Sequence, residues 1–211
     1  MGLGKTVQTL ALLLLRAKQG PALVVAPTSV APNWIDEARR FAPSLNVLHY
    51  VGAPGEREAM LESLEALDLM VVTYGLIQND IERFAEQSWS TLVLDEAHAI
   101  KNAATRRSRA VKALNADFRI ATTGTPIQNN LMDLHSLFGF LNPGMLGSAA
   151  QYKSKFVLPI ERDGDTDASA RLRRLISPFV LRRTKTDVLD DLPSRTEITL
   201  NVELSEDEAT L

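Results

Sequence analysis

Cysteine is absent from the 211 residues, which excludes a disulfide framework and any zinc site built on thiolates. The three histidines are dispersed and argue against a histidine-built metal site. Long apolar runs are missing too. A membrane-spanning helix needs roughly 18 consecutive apolar residues, and the longest aliphatic stretch, residues 10–15, is only a piece of a helix. A Gly-Lys-Thr turn precedes that stretch and no small-residue cleavage site follows it, so it does not read as the apolar core of a signal peptide. The chain therefore reads as intracellular: cytoplasm or nucleoid in a bacterium, nucleus in a eukaryote. Nor is one charge in excess. Lys and Arg number 23 against 26 Asp and Glu, a formal net charge of -3, so any nucleic-acid contact must come from a local patch. What is present is 45% hydrophobic, ample for a packed core.

Short β-branched, apolar runs alternate with longer segments of helical period, the signature of βα units around a mostly parallel sheet. Strands are expected at 22–26, 47–50, 69–73, 91–95 and 119–122, buried on both faces. Val7, Leu10, Ala11 and Leu14 recur at helical spacing before Gly20-Pro21, as do Trp34, Ala38 and Phe41 before Pro43. Further helices are expected at 58–67, 105–114 and 131–141. After Asn142-Pro143-Gly144 the pattern becomes helical, with an exposed polar loop at 161–167. This gives an α/β lobe over 1–142, a helical appendage over 143–195 and a connector over 196–211.

Gly2-Leu3-Gly4-Lys5-Thr6 is the right-hand part of a phosphate-binding loop, G-x-x-x-x-G-K-[ST], opening directly into an apolar helix. Glycines let backbone N–H groups and the helix N-terminus point at one anion, Lys5 adds charge toward the outer phosphates, and the Thr6 hydroxyl can ligate Mg2+. A glycine-rich turn before a helix would carry the same letters, and this stretch alone leaves both readings open. Asp95-Glu96-Ala97-His98 shifts the balance, because it closes a strand and so lies at the carboxyl edge of the sheet, where open α/β folds bind ligands. There Asp95 can hold Mg2+, directly or through water, and Glu96 can orient and deprotonate an attacking water. His98 reads as a packing or hydrogen-bonded histidine, and Trp34 and Trp89 read as core or edge packing.

With these motifs the chain resembles the first RecA-like lobe of the SWI/SNF-related helicase-like ATPases of superfamily 2. The resemblance also rests on Ala26-Pro27-Thr28-Ser29 with Asn33-Trp34, Thr73-Tyr74-Gly75, and Ile100-Lys101-Asn102. It continues through residues 123–130 (T-G-T-P-I-Q-N-N), Leu137-Phe138, 141–144 (L-N-P-G), and 179–185 (F-V-L-R-R-T-K) with Asp187-Val188 and Leu192-Pro193, in the family's order. It implies a P-loop three-layer sandwich with a helical protrusion, ATP and Mg2+ as cofactors, and double-stranded DNA contacted through its backbone. Catalytic roles would fall to Glu96, Lys5 and Asp95, nucleotide binding to Gly2, Leu3, Gly4, Lys5 and Thr6, and the metal to Thr6 and Asp95. DNA-facing residues would be Thr28, Ser29, Thr73, Lys101, Asn102, Arg182 and Arg183. Thr123, Gly124 and Thr125 would couple the acidic box to the state of the γ-phosphate.

Arg182 and Arg183 stand in a stretch, residues 171–185, that holds six basic residues and no acid. A local excess of that kind suits phosphates, although a charge run is usually a solvated helix face. The resemblance further implies that the strand before the phosphate loop and a second lobe, the source of arginine fingers, lie outside these residues. The chain alone should then hydrolyse ATP poorly. The activity implied for the whole enzyme is DNA-dependent ATP hydrolysis driving translocation and remodelling of protein–DNA complexes. A strand-separating helicase and a non-hydrolysing DNA-binding scaffold are the alternatives.

Overall fold

A computed structural model describes residues 4–124 and 131–183. The chain divides into two compact units, Met1–Leu175 and Ile176–Leu211. The first contains strands β1 (Ala22–Ala26), β2 (Asn46–His49), β3 (Asp68–Thr73), β4 (Ser88–Trp89), β5 (Thr91–Leu94), β6 (Asn115–Ala116) and β7 (Arg119–Ala121). Five of them form one sheet in the order β2-β3-β1-β5-β7, every pair parallel, and β4 and β6 form a separate short pair. Parallel strands covered on both faces are expected to be apolar without alternation. The central β1, Ala-Leu-Val-Val-Ala, is buried at every residue.

Successive side chains of a strand point to opposite faces, and the two cores follow that rule. Leu23, Val25, Met70, Val72, Leu92 and Leu94 enter one, whereas Val24, Leu69, Val71 and Val93 enter the other. Helices α1 (Lys5–Arg16) and α2 (Ala31–Phe41) cover the second face through Leu10, Leu13, Trp34 and Ala38. Helices α3 (Pro54–Glu62), α4 (Tyr74–Asn79), α5 (Ile81–Glu86), α6 (Arg106–Ala113) and α7 (Leu131–Leu141) cover the first through Leu61, Ile77, Phe84, Val111 and Phe140. The result is the expected three-layer α/β sandwich. Beyond it, α8 (Ala149–Tyr152) runs through a π-helical turn, Lys153–Val157, into α9 (Leu158–Glu161), and an exposed turn leads to α10 (Thr166–Ile176).

Several elements differ from expectation. The buried stripe of α1 is Thr9, Leu10 and Leu13, while Val7 is 39% exposed. One residue of helix is 100° of rotation, and the rotation here is set at the last turn, where Arg16 donates from Nε to Thr91 Oγ1 (2.9 Å) and from Nη2 to the Ser90 carbonyl (3.1 Å). Phe41 lies outside the core, 44% exposed under the Arg40 guanidinium. Helix α3 starts four residues early because Pro54 occupies its first turn and Glu56 accepts the backbone N–H of Ala53 (2.8 Å). Helices α4 and α5 were not anticipated. Gly75 and Asp80 interrupt the period there, yet the Thr73 hydroxyl caps α4 and Phe84 anchors α5.

Candidate functional site

Gly4 ends the phosphate loop in the left-handed region (φ 69°, ψ 27°) and its carbonyl accepts the amide of Gln8 at 3.0 Å, opening α1. A side chain would be strained at that φ, so the motif's glycine has a backbone reason. Lys5 and Thr6 follow in the first turn, which contains no acid, leaving helix N–H groups and the helix dipole free to favour an anion. The opposite end of α1 is fastened to the sheet by Arg16. Gly2 and Leu3 lie outside the described residues.

The acidic box begins where β5 ends. Asp95 donates its amide to the Val25 carbonyl (2.8 Å) and Ala97 donates to the Thr122 carbonyl (2.9 Å), so both neighbouring strands hold the turn. Between them Glu96 takes a left-handed backbone (φ 46°, ψ 53°). For a non-glycine residue this conformation costs about 1–2 kcal/mol and persists only where the surroundings over-determine it. The turn brings the Glu96 carboxylate to 3.9 Å from Lys5 Nζ and 3.2 Å from His98 Nδ1. Lys5 and Glu96, 91 positions apart in sequence, thus meet at one sheet edge. At 3.9 Å with Lys5 partly exposed, the contact is evidence of placement more than of stability.

Asp95, only 7% exposed, is enclosed by donors. Its Oδ1 accepts the Thr122 hydroxyl (2.5 Å) and the Glu96 amide (2.9 Å), and its Oδ2 accepts the Trp34 indole N–H (2.8 Å). Tyr74 donates its hydroxyl to the Asp95 carbonyl (2.9 Å) beneath the Arg107 guanidinium, 5.5 Å from the ring centre. Burial, and after it the negative charge of Asp95, push the Tyr74 phenol far above its ordinary value against the opposing pull of Arg107. Sequence reasoning missed three of these residues as parts of the site. Trp34 was read as packing and Thr122 as the end of a strand, and Tyr74 was noted only for its motif. Thr122, the residue before the expected coupling residue Thr123, contributes a hydroxyl that reaches Asp95.

The remaining candidates fall as follows. Thr28 and Ser29 are exposed in the turn between β1 and α2, at the same carboxyl edge. Thr73 Oγ1 accepts the Leu76 amide (3.4 Å), a cap that leaves its own proton to donate. Asn102 spends its Oδ1 on the Ala104 amide (2.9 Å) and Lys101 is half-buried beside it. Thr123 and Gly124 follow Thr122 out of β7, and Thr125 lies outside the described residues. Arg182 and Arg183 are exposed in the second unit. Among the described residues no group of three His, Cys, Asp or Glu could hold a metal, and no helix is long and apolar enough to cross a membrane.

A parallel sheet whose carboxyl edge joins a glycine-capped helix, its lysine and an Asp-Glu turn defines a RecA-like lobe of the phosphate-loop class. The chain matches the SNF2-related domain over residues 1–211 and belongs to that family. It is 42% identical to YwqA of Bacillus subtilis (strain 168), covering 100% of this chain and 24% of that protein. It is 39% identical to TATA-binding protein-associated factor 172 of Homo sapiens, covering 92% of this chain and 12% of that one. In three dimensions it is similar to the Sulfolobus solfataricus SWI2/SNF2 ATPase core in complex with dsDNA, with a TM-score of 0.80 and 43% identity over 92% of this chain and 41% of the other. The chain thus spans a quarter or less of the curated relatives' length.

Proposed function

We propose that this chain is the ATP-binding lobe of a DNA-dependent ATPase that translocates on double-stranded DNA and remodels protein–DNA complexes. The observation that carries the reading is the approach of Lys5 and Glu96 across the sheet edge, beside a buried Asp95. The likeness to an ATPase core bound to dsDNA supports the DNA partner. Residues 1–142 would form the nucleotide lobe, 143–195 a protrusion and 196–211 a connector to a second lobe. A nuclear or nucleoid location follows from the same partner.

The N–H groups at the start of α1 and the Lys5 ammonium hold the phosphates, and Thr6 orients its hydroxyl in the same turn. Lys5 has Glu96 as its anionic neighbour in this structure. A γ-phosphate gives Lys5 a second anion, leaving the Glu96 carboxylate to accept a proton from the attacking water. His98, 3.2 Å from the far Glu96 oxygen, holds that carboxylate in orientation. Magnesium suits the donors present, since it takes one or two protein oxygens and completes its shell with water and phosphate oxygens. Thr6 and Asp95 would hold it, and it would neutralise charge on the phosphates. Thr28, Ser29, Thr73, Lys101 and Asn102 would meet the DNA backbone without reading sequence, while Thr123, Gly124 and Thr125 would relay the γ-phosphate's state. Arginines from a second lobe would complete the site, so the chain alone hydrolyses ATP near background.

Glu96→Gln tests the reading in the complete enzyme. Turnover falls to background while nucleotide binding survives, because Lys5, Thr6 and Asp95 remain. Lys5→Ala weakens binding itself. Substantial turnover by Glu96→Gln removes Glu96 from the role of base.

A further inference from the structure

Three donors from three segments fix the Asp95 carboxylate, and they are distributed unequally. Among the described residues, Oδ1 accepts two hydrogen bonds, from Thr122 and from the Glu96 amide, whereas Oδ2 accepts one, from Trp34. Each carboxylate oxygen offers about two lone-pair directions. Oδ1 is therefore filled and Oδ2 keeps one. The donor that decides where this last lone pair points is an indole that is itself 1% exposed and gripped in the core beneath α2.

We propose that Trp34 is a positioning residue for metal-nucleotide binding: its indole N–H aims Asp95 so that the remaining Oδ2 lone pair is the acceptor presented to magnesium or to a water that magnesium carries. The inference rests on the nucleotide-binding reading above. Trp34 touches neither nucleotide nor metal and acts through Asp95 alone. Groups that orient a metal ligand typically change metal affinity by 10- to 100-fold when removed, and a buried rigid ring is a better orienter than a mobile side chain because its own freedom is already spent. The second tryptophan gives an internal comparison. Trp89 is equally buried but donates to the Phe84 carbonyl (3.3 Å), away from the acidic box.

The experiment measures ADP binding to the protein while Mg2+ is titrated, for the unmutated protein, Trp34→Phe and Trp89→Phe, with a parallel series in EDTA. Trp34→Phe keeps the ring and loses the donor. Its half-saturating Mg2+ concentration rises about 10-fold while ADP affinity in EDTA stays the same, and Trp89→Phe leaves the Mg2+ requirement unmoved. An unshifted Mg2+ requirement in folded Trp34→Phe, or an equal loss with and without the metal, overturns the proposal. Should Trp34→Phe not fold, the unmutated protein labelled with 5-fluorotryptophan gives two fluorine resonances, and the one retained in Trp89→Phe shifts with Mg-ADP but not with ADP in EDTA. A Trp34 resonance indifferent to Mg-ADP overturns it equally. ADP binding by the unmutated protein that ignores Mg2+ sinks the nucleotide-site reading as well, whereas a metal-sensitive unmutated protein with an indifferent Trp34 sinks only this proposal.

Discussion

Asp95 and Glu96 are neighbours with different surroundings. Glu96 faces two groups that can be cationic, while Asp95 is enclosed by neutral donors on its side chain and by Tyr74 on its carbonyl. Tyr74→Phe removes that last donor from a buried acceptor, which costs about 1–2 kcal/mol, measurable as a lower denaturant midpoint. The same residue sets a pH dependence. Burial raises the phenols of Tyr74, Tyr50 and Tyr152 above their ordinary value of 10.0, the latter two to about 12. The unfolded chain then releases these protons at lower pH than the folded one. The folded state binds more protons, so their contribution is intact below the unfolded pKa and is lost as pH rises beyond it. Unfolding free energy should decline above about pH 10, and Tyr74→Phe should make the decline shallower. An equal slope in both proteins would remove Tyr74 from that role.

At the scale of elements, β1, β3, β5 and α7 were readable because each is a short or strongly patterned apolar segment. The rotation of α1, the start of α3 and the existence of α4 and α5 were not. Each depends on one long-range or capping contact: Arg16 on Thr91, Glu56 on Ala53, Thr73 on Leu76. Helix α7 carries a glycine with room beside it. A Cβ at Gly139 would meet only the flexible end of Lys112, at 3.4 Å from Nζ. Glycine inside a helix costs roughly 0.5–1 kcal/mol relative to alanine, so Gly139→Ala should raise unfolding free energy by up to that amount. A lower thermal midpoint would show that Lys112, whose burial depresses its pKa and whose Nζ lies 3.4 Å from Ser136 Oγ, has no alternative place.

For the whole molecule the question is where the proposed DNA contact would arise in a chain of net charge -3. Arg182 and Arg183, both exposed, head the test. Replacing both by alanine in the complete enzyme should reduce DNA-stimulated hydrolysis more than basal hydrolysis, and added salt should mimic the defect. Each phosphate contact contributes about 0.9 to the slope of log affinity against log salt, so losing two should flatten it by roughly 2. Equal losses of basal and stimulated activity would point instead to packing between lobes.

The sequence by itself determined the fold class and the edge of the sheet at which Lys5 and the Asp95-Glu96 pair lie. Alternation of strand and helix fixes that edge, because every parallel strand enters from the same side. Tertiary structure alone decided the distances across the edge and the partners of Asp95. Trp34 and Thr122 reach it from α2 and from just past the end of β7, 61 and 27 residues away in the chain. No local pattern encodes such contacts: an indole N–H needs a partner wherever it is buried, and only the packing of α2 against that face of the sheet makes that partner Asp95.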